Sequence, residues 1–114
     1  MISAKDNAIL AARAMRDKAA IDIEILEVTS ISSVTDYFVI CTGNSAVQIR
    51  AIADEVEKRT IENGGEILHV EGYDAAGWVL VDAGVVLAHI FHKDMREFYN
   101  LERLWADAKR IEFD

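Results

Sequence analysis

The sequence has little of several things. It has no proline, where an average composition of this length would carry roughly six, and that absence bears on no function class. One cysteine, Cys41, excludes an internal disulfide and points to a reducing, cytoplasmic setting. No apolar run approaches the roughly 18 residues a bilayer-spanning helix needs, and no repeat, linker or low-complexity segment interrupts the chain. Positive charge is scarce: twelve Lys and Arg stand against twenty Asp and Glu, a formal charge of −8. Such a field repels a phosphate backbone, so extensive direct nucleic-acid binding is excluded, whereas encounter with a basic protein surface is favoured.

What remains is an ordinary globular composition, with 52% hydrophobic and 28% charged residues in 114. By size, residues 1–114 form a single domain with one core. The Ala-rich N-terminal stretch carries basic residues, but Asp6 and Asp17 interrupt it and it lacks an apolar signal core, so it reads as part of the fold.

Ser3 and Asp6 have the spacing of a helix start, and helix formers run from there to about Ala19, with no narrow apolar stripe. Ile21, Ile23 and Ile25 alternate with Asp22 and Glu24, predicting a strand over 21–28 with one buried and one wet face. DYFVICT, residues 36–42, is continuously apolar in its middle, as a central strand covered on both faces is. Ser45 and Gln48 form a capping box for a helix to about Asn63, whose buried face is Ile49, Ile52, Ala53, Val56 and Thr60. Gly64 and Gly65 end it. Strands are predicted over 66–72, 77–84 and 85–91, with Ala83 and Gly84 at a tight hairpin. A final helix is predicted from Lys93 to Lys109. The order α-β-β-α-β-β-β-α describes an α+β fold with a five-stranded mixed sheet, a helical crossover and a closing meander.

Few constellations carry chemistry. TGNS, residues 42–45, resembles a small anion site at a helix N-terminus, but no Lys or further Gly completes a phosphate loop, and a plain helix cap is the simpler reading. His69, His89 and His92 lack metal-ligand spacing. Asp36, Glu71, Asp74 and Asp82 are scattered over separate segments, and Asp82 reads as a turn-stabilising residue. No active site emerges. In the last predicted helix Phe98, Leu101, Leu104, Trp105 and Ala108 share one face, with Tyr99 and Glu102 on its shoulder. Such a stripe either packs the core or, being rich in Trp and Tyr, meets a partner.

The segments SSVTDYFVICTGNS (32–45), VEGYDAAGWVLVDAGVV (70–86), AHIFHKDMREFY (88–99) and NLERLW (100–105), in this order, resemble the ribosomal silencing factor family, also called iojap-like. The resemblance implies a non-enzymatic cytoplasmic homodimer, similar in architecture to a nucleotidyltransferase. It further implies a protein without a cofactor or metal that binds a basic large-subunit ribosomal protein, the fourteenth, on the face that meets the small subunit. It would thereby block subunit joining and lower translation when nutrients run short. Residues matching the family's characteristic positions include Asp36, Thr42, Gly43, Gly72, Trp78, Asp82, Gly84, His89, Arg96, Tyr99, Leu101, Glu102, Leu104 and Trp105. Of these, Trp78, Tyr99, Leu101 and Trp105 are expected in or beside the partner contact, with Glu102 answering a basic side chain. One departure stands out: Val85 follows the hairpin glycine where the family usually has an acidic residue. The competing reading is a small nucleotidyltransferase-like enzyme using TGNS for phosphate and Asp82 for a divalent metal, which predicts Mg²⁺-dependent stabilisation by nucleotides.

Overall fold

A computed structural model of the chain describes residues 2–30, 35–99 and 108–113, the side chains of 97–99 excepted. Its elements are α1 (Ala4–Asp17), β1 (Ile21–Glu27), β2 (Tyr37–Gly43), α2 (Ala46–Glu62), β3 (His69–Glu71), β4 (Trp78–Asp82), β5 (Val86–His92), α3 (Lys93–Tyr99) and β6 (Lys109–Ile111). The strands form a mixed sheet in the order β3-β4-β5-β2-β1-β6. β2 and β5 are parallel, joined by the crossover through α2, and the other pairs are antiparallel.

The starts of α1 and α2 follow the capping chemistry legible in the sequence. The Asp6 N–H donates to Ser3 Oγ at 3.1 Å, and the Gln48 N–H to Ser45 Oγ at 3.1 Å. Gln48 also binds other elements: its Oε1 accepts from the Asn44 N–H at 2.7 Å, while its Nε2 donates to the carbonyls of Lys18 and Ala19 at 3.2 and 3.0 Å. The start of α2 is thus tied to the end of α1. Replacing Ser45 by Ala is expected to cost about 1 kcal/mol, measured as a shift in the urea midpoint with unchanged slope.

The buried residues of α2 are Ile49, Ile52, Ala53, Val56 and Thr60, the stripe expected. α1 buries mostly small side chains, Ala8, Ala11, Ala12 and Ala14 with Met15, while Ile9 and Leu10 are only half-buried. Alanines let a helix approach its neighbours closely, which explains why no large-residue stripe marks this face. Together α1 and α2 cover one side of the sheet, where Ile25, Val39, Cys41, Val79, Val81, Ala88 and Ile90 form the main core.

Three expectations need correction. The sheet has six strands, because the chain returns after α3 and lays Lys109–Ile111 antiparallel against β1. Lys109 therefore does not extend the final helix: α3 is described only over Lys93–Tyr99, and residues 100–107 lie outside the described residues. A three-residue strand has no periodicity of its own; its partner determines it. Finally, β1 is not wet on one face. A register shift between Ile21 and Glu24, with Asp22 at φ 51°, leaves Ile21 exposed, and beyond it Ile25 and Leu26 are buried on opposite sides of the sheet. β2 is buried throughout at the middle of the sheet, as its apolar run implies.

Candidate partner-docking face

Strand register determines what the second side of the sheet displays. Trp78 lies opposite Phe91, Leu80 opposite His89, and Asp82 opposite Leu87. Across the parallel pair, Phe38 meets Leu87, Ile40 meets His89 and Thr42 meets Phe91. Side chains of directly paired residues share a face. This side consequently carries Leu26, Phe38, Ile40, Leu87, His89, Phe91, Trp78 and Leu80, bordered at the β3 edge by His69, Glu71 and Asp82. Leu26, Val28, Phe38, Ile40 and Phe91 form its buried cluster, and Trp78, Leu87, Met95 and Ala108 pack against that cluster while only partly buried.

The rings are ordered. Trp78 stacks on Phe91 at 5.0 Å between centroids, and Phe38 meets His89 edge-on at 4.8 Å. The Trp78 indole Nε1–H donates to His89 Nδ1 at 3.1 Å. Burial drives the His89 pKa down to about 4, so the imidazole is neutral at ordinary pH. Its other nitrogen, Nε2, is buried without a hydrogen-bond partner among the described residues.

The two ends of this face differ in charge. At the β3 edge His69 lies between two carboxylates, Nδ1 at 3.6 Å from Asp82 Oδ2 and Nε2 at 3.9 Å from Glu71 Oε1. The Asp82 Oδ1 also accepts the Gly84 N–H at 2.8 Å, the turn role expected of it. Glu71 is two residues from His69 on β3, and the β3–β4 register brings the distant Asp82 against the same histidine. At the opposite end Glu24 pairs with Arg96, Nη2 to Oε2 3.7 Å, and with Arg110, while Arg96 Nη1 donates to Thr42 Oγ1 at 2.9 Å. Cys41, beneath this cluster on the helix-covered side, has its thiol pushed up to about 12 by burial, which outweighs the nearby Arg96 charge. It is not a nucleophile.

Of the residues expected at the partner contact, the structure places Trp78 on this face, half-buried. Tyr99 closes α3 with its side chain outside the described residues, and Leu101, Glu102 and Trp105 lie wholly outside them. Leu80 and Glu71 were not singled out from sequence as docking residues. The parity Trp78-Leu80-Asp82 in a strand was the available signal, and it becomes informative only once the face of Trp78 is known. Val85 is exposed, but its carbonyl accepts the N–H groups of Asp36 and Tyr37 at 3.1 Å, so the departure from the family pattern alters the surface and leaves the strand start intact.

The features behind an enzymatic reading are engaged otherwise. In TGNS, Thr42 holds Arg96, the Asn44 N–H is spent on Gln48, and Ser45 caps α2. His89 and His92 point to opposite sides of β5, and no three His, Cys, Asp or Glu side chains among the described residues are arranged so that they could hold a metal ion. Among those residues no helix is long and apolar enough to cross a membrane.

The chain is similar to several known proteins. The profile of a family described as "Ribosomal silencing factor during starvation" matches residues 1–114. The ribosomal silencing factor RsfS of Bacillus subtilis is 51% identical over 105 residues, 92% of this chain and 89% of that protein. A crystal structure of a Chromobacterium violaceum protein superposes with a TM-score of 0.90 at 32% identity, covering 92% of this chain and 88% of the other. A mouse protein named for mitochondrial assembly of the ribosomal large subunit is 32% identical over 108 residues, 92% of this chain and 47% of that protein.

Proposed function

The chain belongs to the ribosomal silencing factor family, and from that premise we propose that it is a translation inhibitor acting by obstruction. It binds the large ribosomal subunit through a basic protein of that subunit, the fourteenth, and its bulk keeps the small subunit from joining when nutrients are limiting. It performs no catalysis, works in the cytoplasm, and is a homodimer when free. Trp78, Tyr99, Leu101 and Trp105 supply the docking contacts, and Glu102 answers a basic side chain.

The observation that supports this reading most is the graded sheet face. Half-buried Trp78 and Leu80 adjoin Glu71 and Asp82, so an aromatic and aliphatic surface stands beside carboxylates. Burying such rings against a basic partner combines apolar area with charge complementarity, the combination that gives hot spots their weight. The overall charge of −8 adds steering toward a basic target while opposing contact with the surrounding phosphates.

The expected result for Tyr99→Ala combined with Trp105→Ala is a loss of large-subunit binding of more than about tenfold, read by cosedimentation, with cooperative unfolding retained. Unchanged cosedimentation of the folded double variant removes these residues from the contact.

A further inference from the structure

We propose that His89 is the positioning residue of the docking face: its Nδ1 lone pair holds the Trp78 indole in the orientation that meets the partner. This rests on the docking role given to Trp78 above.

An indole has one polar hydrogen and no acceptor, so a half-buried tryptophan is oriented by whatever accepts that hydrogen. Here the acceptor is His89 Nδ1 at 3.1 Å. Trp78 and His89 are diagonal neighbours on paired strands, one register step from the direct pairs Trp78–Phe91 and Leu80–His89. The histidine is itself immobilised. It is 5% exposed, edge-on to Phe38, and lies parallel to Phe91 at 6.2 Å between centroids. Phe91 in turn stacks on Trp78, so a hydrogen bond and a ring stack both bear on the indole.

The protonation pattern indicates what the histidine is for. Because the indole only donates, Nδ1 carries no proton, and the neutral ring must bear its proton on Nε2. That nitrogen is buried and has no hydrogen-bond partner among the described residues. An aliphatic side chain would fill the site without burying a donor that makes no bond. Bulk therefore does not explain a histidine at this position, whereas the lone pair facing Trp78 does.

The test has one arm in the isolated protein and one on the ribosome. Imidazole nitrogen NMR of the wild-type protein is expected to show the Nε2–H tautomer. The Trp78 indole resonance, assigned by its loss in Trp78→Phe, is expected to exchange slowly with solvent. His89→Asn, which keeps an acceptor near the Nδ1 position, should retain that resonance and bind large subunits within about threefold of wild type, with His89→Gln as a second acceptor variant. His89→Leu should shift the resonance and weaken binding about tenfold, while melting no lower than His89→Asn.

An Nδ1–H tautomer, or an indole resonance unmoved in His89→Leu, overturns the proposal. So does affinity that follows melting temperature across the variants and ignores the indole. If wild-type protein fails to bind large subunits, the docking reading fails separately, because the tautomer and indole measurements decide the positioning role in the free protein.

Discussion

Gly72→Ala is expected to destabilise the protein by about 2–6 kcal/mol, the sum of holding a non-glycine residue in left-handed backbone and overpacking a closed site. Gly72 has φ +78°, and a Cβ built on it lies 2.2 Å from the Trp78 carbonyl oxygen. That oxygen belongs to the backbone at the start of β4 and cannot swing away as a side-chain end can. Relief requires β4 to move relative to the turn after β3, which shifts Trp78 itself. The substitution should therefore lower the denaturation midpoint and also perturb the Trp78 indole signal. Gly77→Ala is the control: among the described residues its Cβ would meet only Met95 Cγ at 3.6 Å, an ordinary contact, so a change within about 1 kcal/mol is expected. Equal effects from the two substitutions would contradict the close approach at Gly72.

Acid should destabilise the fold through His89 before most carboxylates titrate. Burial lowers its pKa from 6.5 to about 4. Between those values the unfolded chain binds a proton that the folded chain refuses, so stability is complete above the ordinary histidine value and falls as pH drops toward 4. Fully developed, the difference amounts to roughly 3 kcal/mol. Glu55 acts in a lower window. Its hydrogen bond from Arg59 lowers its pKa below 4.5, so its contribution is present above that value and is lost below it. Urea unfolding of wild type from about pH 7 down to pH 4.5 should show a steady decline that is largely absent in His89→Leu. A variant retaining the wild-type slope would mean that His89 is not the group that titrates.

These two predictions depend on contacts that sequence exposes unevenly. Local chemistry was legible: Ser45 and Gln48 announce the start of α2, its buried stripe follows from helical period, and Asp82 before Ala83-Gly84 marks the hairpin. The apolar run of β2 correctly implied a central strand. Pairing between distant segments was not legible. β6 exists because β1 offers an edge, and the irregularity near Asp22 hides which isoleucines of β1 face the core.

The same distinction applies to the proposed docking face. Trp78 was identifiable as a surface candidate through its resemblance to a known family, and the structure adds its surroundings. Its link to His89 spans eleven residues and arises only from β4–β5 register. Likewise, Asp82 lies far along the chain from His69 and Glu71 and joins them only after β3 and β4 pair. Chemistry that needs two strands in register is invisible to a reading that takes the strands singly.

The most direct measurement of the account is subunit joining. Purified protein is added to separated large and small ribosomal subunits, and formation of the joined ribosome is followed by light scattering or gradient sedimentation. The account predicts that joining falls with increasing protein, that the protein travels with the large subunit, and that adding it after joining has far less effect. Undiminished joining at concentrations where the protein is bound to the large subunit would contradict inhibition by obstruction.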